Sequence, residues 1–389
     1  MSARCPACRS SEVESFYEQQ AVPIHSCRLV TSEEAARAFP MRRLELGVCH
    51  ACGFITNVSY DPSVQDYRDA YEETQAYSPV FRTFMSDLAR RWVERYDLHG
   101  KEILELGSGK GEFLVEMTRI AAGRGIGIDP GFVPERIAPE DAVRVEFVKD
   151  YYSASYAHLE GDAIVCRHTL EHIHDVLSFM QLVREAAQRR DGVVVLFELP
   201  DVLRVLREAA FWDMYYEHVS YFTPGSLTRL FERVGLEVND VELDYDDKYI
   251  LIEARLGSEA IPRTDVDSPS EAVAAVADFR ARLADVTTSW RDRIRKVERS
   301  GGRVVVWGAG SKAVAFLTTI GRDSGIQVAI DINPHKHGTY LAGAGQRVEA
   351  PAFLRTYRPA LVIAMNSIYL DEIRGALDDL DVDAELAAV

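Results

Sequence analysis

The chain has 389 residues, enough for two or three domains, and its 47% apolar and 27% charged content is ordinary for a globular protein. A net charge of −17 argues against binding the phosphate backbone of DNA or RNA, and no uninterrupted apolar run approaches the roughly 18 residues a membrane span needs. The start, Met-Ser-Ala-Arg-Cys-Pro, lacks the apolar core of a signal peptide, so a cytoplasmic enzyme acting on a small molecule is the expectation.

Four of the six cysteines form two C-x-x-C pairs, Cys5/Cys8 and Cys49/Cys52. Two intervening residues put both thiolates of a pair on one tight turn, and two such turns complete a tetrahedral four-sulfur zinc site. A redox pair would need a βαβ context that residues 1–55 do not show. Four cysteine ligands leave no open coordination position, so the zinc is expected to be structural. Strand-like stretches Arg43–Val48 and Phe54–Val58 flank the second pair, giving a zinc-binding module over residues 1–62.

Residues 61–98 read as helical and aromatic-rich, with Tyr67, Tyr71, Tyr77, Phe81 and Phe84. The stretch Phe81–Tyr96 has helical apolar spacing and stops at His99-Gly100. Strand Glu102–Leu106 then runs into a loop carrying Gly107, Gly109 and Gly111, with the acid Glu105 ahead of the first glycine. Eighteen positions after Gly111 a second strand ends in Asp129, which can accept hydrogen bonds from two ribose hydroxyls. Strand, glycine turn, helix, strand and acid make one mononucleotide-binding unit. The E-x-G-x-G-x-G form resembles motif I of class I S-adenosylmethionine (SAM) methyltransferases.

Further strands are expected at Val145–Val148, Ala163–Cys166 and Gly192–Glu198, with a closing hairpin from Leu236–Leu243 and Tyr249–Ala254. Alternating strands and helices predict an α/β doubly wound, Rossmann-like sheet over residues 63–257. A polar break at 257–268 precedes a long amphipathic helix, Pro269–Arg299. A second, smaller α/β Rossmann-like domain follows, with strand Arg303–Trp307, loop Gly308-Ala309-Gly310-Ser311-Lys312 and strands Val328–Ile332 and Pro359–Met365. The linker helix and this domain occupy residues 258–389. The loop and Asp331 read equally as a dinucleotide fingerprint, a substrate-phosphate platform or a packing remnant.

The densest polar and aromatic cluster is Trp212–Phe222, past the end of the fifth strand, where α/β sheets build their sites. Within it, Glu217 and His218 can form a base near neutral pH, and Tyr215 can stabilise an enolate oxygen. The sequence His168-Thr-Leu-Glu171-His172 matches an inverted zincin motif, but it follows a strand directly instead of lying mid-helix; the resemblance to class I methyltransferases, whose loop after the fourth strand lines the active site, makes His172 a candidate substrate contact instead. Asp150, after the third strand, stands where class I methyltransferases, which the chain resembles, present an acid to the adenine amino group; a solvated loop acid is the other reading.

These modules in this order resemble the zinc-containing, SAM-dependent C-methyltransferases of deoxysugar biosynthesis. The resemblance rests on the Cys5/Cys8…Cys49/Cys52-Gly53 module, Glu105–Gly111, the Tyr-x-Glu-His-x-x-Tyr-Phe run at 215–222, Val306–Lys312 and Asp331–Gly338. It implies deprotonation of the carbon beside a ketone on a nucleotide-linked sugar and attack of the enolate on the SAM methyl group. His218 matches the general base, Glu217 and Tyr215 its supports, and His172 and Tyr77 substrate contacts. Two departures stand out: Tyr216 replaces the first histidine of His-Glu-His, and Asp244-Tyr245-Asp246-Asp247-Lys248 replaces a His-Gly-Gly-Ser turn. Transfer to oxygen or nitrogen of another metabolite, an NAD-dependent oxidoreductase built on Gly308–Ala313, and a zinc-scaffolded binding protein are the alternatives.

Overall fold

A computed structural model describes residues 4–68, 71–257, 263, 265–321 and 324–389. Three sheets organise the chain. The central one has seven strands in the order Leu236–Asp244, Tyr249–Leu256, Val194–Pro200, Ala163–Arg167, Glu102–Leu106, Arg124–Ile128, Val145–Val148. Five are parallel, and the last two in sequence form the expected hairpin, Tyr249–Leu256 running antiparallel to Val194–Pro200. Its innermost strands are buried on both faces, so Ile103, Leu104 and Leu106 and the run Ala163–Cys166 read as continuous apolar stretches. This is the class I methyltransferase sheet that the strand spacing predicts.

The C-terminal sheet has five parallel strands, ordered Arg347–Glu349, Val328–Ile330, Val304–Trp307, Leu361–Ala364, Glu385–Ala388. The first and last in that order have too few residues and too weak an alternation to stand out in the sequence. The 31-residue helix Pro269–Arg299 begins with a capping box between Ser268 and Glu271. It lays Phe279 edge-on against Phe16 and Tyr17 of the N-terminal sheet, and Ile294 joins the core beneath the C-terminal one. Of the polar break before it, residues 258–262 and 264 lie outside the described residues.

The N-terminal sheet is antiparallel: Val13–Pro23, Met41–Cys49, Ile55–Asn57 and, from far along the chain, Ser220–Tyr221. The expected strands at 43–48 and 54–58 are present within this sheet, while Val13–Pro23 was not foreseen. The fourth strand inserts the aromatic run after His218 into the N-terminal unit, so the candidate base loop is held by both units at once.

One expectation fails. Residues 61–98 do not form a continuous helical region: the helix begins at Pro79, capped by the Ser78 hydroxyl, and runs to Arg95. Before it, polar side chains bond across units instead of along a helix face. Glu72 accepts from Arg136 (2.6 Å) and from Asn333 of the C-terminal unit (2.9 Å). Gln75 joins Tyr249 (3.3 Å) to Tyr369 (3.0 Å). Among the described residues no helix is long and apolar enough to cross a membrane.

Candidate active site

A single cavity of about 730 Å³ is lined by all three units. At one end lies the glycine loop. Gly107 has φ +75°, and a Cβ there would sit 1.9 Å from the Thr169 hydroxyl oxygen, so only glycine fits. Gly111 has φ +89° and starts the helix Glu112–Ala121. Asp129 is bound on both oxygens, accepting from the Gly109 amide (2.9 Å) and the Gly131 amide (2.6 Å). Glu105 is 2% exposed, its Oε2 has no partner among the described residues, and burial raises its carboxyl to about 8. A buried acceptor with a free oxygen beside a glycine-rich loop suits a ribose-bearing ligand such as SAM.

Two residues here escaped the sequence reading. Buried Lys110 donates to the carbonyls of Tyr71 (2.9 Å) and Gly131 (3.0 Å) and lies 3.3 Å from Glu73, tying the glycine loop to the segment that covers it. Burial raises Glu73 to about 7. Lys110 was in plain view between two motif glycines; Glu73 carried no local signal. Asp150 stands apart from the cavity wall, accepting from the Tyr156 hydroxyl (2.7 Å) and the Tyr151 amide (2.8 Å), while Tyr151 and Tyr152 line the cavity in its place.

At the middle of the cavity His218 and His172 meet edge to face, ring centroids 4.8 Å apart. His218 is partly buried and makes no hydrogen bond among the described residues; burial first, then the neighbouring His172, push its imidazole down to about 4. It is therefore neutral at pH 7, with a free lone pair. Tyr215 lies beside it, ring centroids 4.5 Å apart, and donates to Asp213 (2.8 Å). Burial opposes the Asp213 charge, but Lys312 (2.6 Å) and Arg204 (2.9 Å) overcome it and hold the carboxyl low. Tyr77 lines the wall, its hydroxyl 3.3 Å from the Arg136 guanidinium.

Glu217 does not pair with His218, although the two adjoin in sequence. Its carboxylate turns away to His25 Nδ1 (3.1 Å) and the Ser26 amide (3.0 Å). Its carbonyl instead meets His172 Nδ1 (3.0 Å), which also touches the Tyr67 hydroxyl (2.9 Å). His25 lies 192 positions away, so sequence reading had no means of finding it. Tyr216 is fully buried, and its hydroxyl accepts from the Asp61 amide (2.9 Å), outside the cavity.

His168 also lines the cavity, with φ +46°, a conformation a histidine rarely adopts. Burial disfavours its charge, but Glu198 (2.7 Å) and Glu171 (3.6 Å) overcome that and raise it to about 9. Glu171, His172 and His218 bring possible ligand atoms within 4.8 Å of one another. The imidazolium of His168 against Glu171 opposes a second cation there, and residues 170–172 form a single 3-10 turn instead of a helix that would present two ligands on one face.

The far end of the cavity is the C-terminal loop: Gly308, Gly310, Ser311 and Lys312 face it with Asp331 and Asn333. Lys312 reaches across to Asp213 and ties this loop to the one that carries Tyr215 and His218. Away from the cavity, the four cysteines gather with Cys5 and Cys52 sulfurs 3.7 Å apart and Cys8 and Cys49 sulfurs 3.5 Å apart, all four within 4.8 Å. Tetrahedral zinc with bonds of about 2.3 Å sets its sulfurs roughly 3.8 Å apart, so these residues could hold that ion with little movement.

Fold and site together define a SAM-dependent methyltransferase. Residues 80–241 match the family described as methyltransferase domain, and residues 261–383 the C-methyltransferase C-terminal domain. The C-methyltransferase NovU of Streptomyces niveus is 26% identical over 368 residues, 89% of this chain and 85% of that protein. Along most of its length the chain is thus similar to a C-methyltransferase, with its two matched domains in tandem. Two solved structures overlap more loosely. An O-methyltransferase family protein from Burkholderia thailandensis is 18% identical over 46% of this chain and 59% of its own, with TM-score 0.35. The 1,6-didemethyltoxoflavin-N1-methyltransferase of that organism, solved with S-adenosylhomocysteine, is 16% identical over 49% and 93%, with TM-score 0.36. Overlaps this slight carry no weight for this chain.

Proposed function

We propose that the protein transfers the SAM methyl group to a carbon beside the ketone of a nucleotide-linked sugar, through an enolate made by His218. The observation that carries this reading is one cavity shared by two mononucleotide-type loops, with a neutral, unpartnered histidine in its wall. The loop Glu105–Gly111 with Asp129 would take SAM, which supplies an electrophilic methyl needing no activation. Asp331, Asn333 and the start of the helix Ser311–Ile320 would take the nucleotide, whose phosphates suit a helix N-terminus. His218 would remove the proton from the carbon, with Tyr215, its proton given to Asp213, packed beside it as support; Tyr77 would donate to the ketone oxygen as it gains charge, and His172 would contact the sugar. The protein's task is to create the carbon nucleophile and hold it in line with the methyl group.

The similarity to NovU supports transfer to carbon, and the C-terminal loop beside Lys312 supports an anionic nucleotide end. We take residues 1–62, 63–257 and 258–389 as the zinc-binding, SAM-binding and C-terminal domains, with a structural zinc on Cys5, Cys8, Cys49 and Cys52. The test is mass spectrometry of reactions with SAM and a panel of nucleotide ketosugars. A gain of one methyl on carbon supports the reading, and methylation only of a hydroxyl or amine would overturn it. SAM should also raise the melting temperature by mass action, and NAD should not.

A further inference from the structure

His25 lies in the N-terminal unit, 1% exposed, and both its ring nitrogens are engaged. The Asp66 backbone N–H points at Nε2 (3.2 Å), and a backbone N–H can only donate, so Nε2 carries the lone pair. Nδ1 therefore holds the proton and donates it to the Glu217 carboxylate (3.1 Å), whose other oxygen accepts from the Ser26 amide (3.0 Å). The ring is neutral and its tautomer is fixed from both sides.

The same logic continues through Glu217. Its backbone carbonyl can only accept, so it favours a proton on His172 Nδ1, 3.0 Å away, with the Tyr67 hydroxyl accepting at the same nitrogen (2.9 Å). In that tautomer the Nε2 of His172 carries the lone pair, beside His218 and Glu171. Glu217 thus uses its side chain to grip the N-terminal unit and its backbone to set the catalytic-side histidine, while the next residue is His218. The carboxylate is 1% exposed, and a buried carboxylate deprived of its donors does not stay where it is.

We propose that His25 is a positioning residue for the methyl-transfer site: it anchors Glu217, and through it fixes the tautomer of His172 and the placement of His218. The N-terminal unit is then part of the active site, its contribution delivered by one imidazole reaching the catalytic loop. This inference rests on the proposed base chemistry for its kinetic consequence, though not for its spectroscopic one.

His25→Ala should lower turnover on the order of 100-fold while the KM for SAM stays within about twofold, because misplacement of about an ångström costs that much and the cofactor loop is untouched. His25→Asn keeps an N–H donor at the Nδ1 position and should recover most of the rate; His25→Gln, whose amide extends toward the Nε2 position, should not. Turnover in His25→Ala equal to the wild type overturns the proposal. So does an equal loss in the Ala and Asn variants, since a packing role distinguishes neither donor. Nitrogen-15 spectra of labelled histidine give a readout that needs no substrate: His172 should show the Nδ1–H tautomer in the wild type and lose it in His25→Ala. Should the wild type methylate no ketosugar, the reaction is wrong, yet these spectra still decide the role of His25; an unchanged His172 tautomer would end it.

Discussion

Asp331 repeats in the C-terminal unit the bonding that Asp129 makes in the central one. Asp129 accepts from the Gly109 amide of its glycine loop and from the amide two residues on, at Gly131; Asp331 accepts from Ala309 and from Asn333, both at 2.8 Å. Each acid braces its own loop, and both loops face one cavity. The parallel makes the two ends separable by mutation.

Asp129→Ala should weaken SAM binding by about 30- to 150-fold, the 2–3 kcal/mol of a lost charged contact, and leave the nucleotide sugar unaffected. Asp331→Ala should do the reverse, raising the KM of the sugar substrate while SAM affinity by calorimetry holds. Equal effects of both variants on SAM would mean that the second loop serves no ligand of its own.

Gly107 and Gly192 separate backbone strain from collision. Both have positive φ, +75° and +77°, but a Cβ at Gly192 meets nothing within 4 Å, whereas at Gly107 it strikes Thr169. Gly192→Ala should cost only the left-handed penalty, about 1–2 kcal/mol of stability. Gly107→Ala should cost more and abolish SAM binding, because the loop must shift to make room. Chemical denaturation and calorimetry measure the two effects.

Much of this was legible in the chain because it is local. The glycine loop, both acids and the strands around them follow from residues within thirty positions of one another, and the parallel strands announced themselves as apolar runs. The cysteine spacing likewise predicts its own convergence. The misreadings come where polar side chains act at long range. Segment 65–78 carries aromatic residues that mimic a helix pattern, yet Glu72 and Gln75 also spend bonds on Asn333 and Tyr369 of the C-terminal unit. Glu217 next to His218 looked like a pair, and its true partner, His25, is visible only when the chain is folded. Asp150 sits at the expected strand end with its carboxylate already satisfied by Tyr156.

If the four cysteines hold a structural zinc, the purified protein should contain about one zinc per chain. The knuckles pack into the same apolar core as Phe54, Phe222 and the central sheet, so metal loss should reach well beyond the first domain. Cys8→Ser should lower the melting temperature or solubility, and a strong chelator should do the same to the wild type. Metal-free protein with unchanged melting would sink the assignment.

The last prediction concerns pH and His218. An exposed imidazole titrates near 6.5, and in this cavity burial and His172 bring His218 down to about 4. Between those values the unfolded chain takes up a proton that the folded one refuses. The stability tied to this group is thus complete above about 6.5 and is lost as pH falls through 4. The same depression keeps the base deprotonated, so the acid limb of kcat/KM should fall near 4 to 5, well below the usual histidine range. His218→Gln should remove that limb and cost 100- to 10,000-fold in turnover, with SAM affinity retained. A limb at 6.5 in the wild type, or deuterium exchange into the substrate that persists in the Gln variant, would take the base role from His218. His172, its ring centroid 4.8 Å away, would then be the group to inherit it.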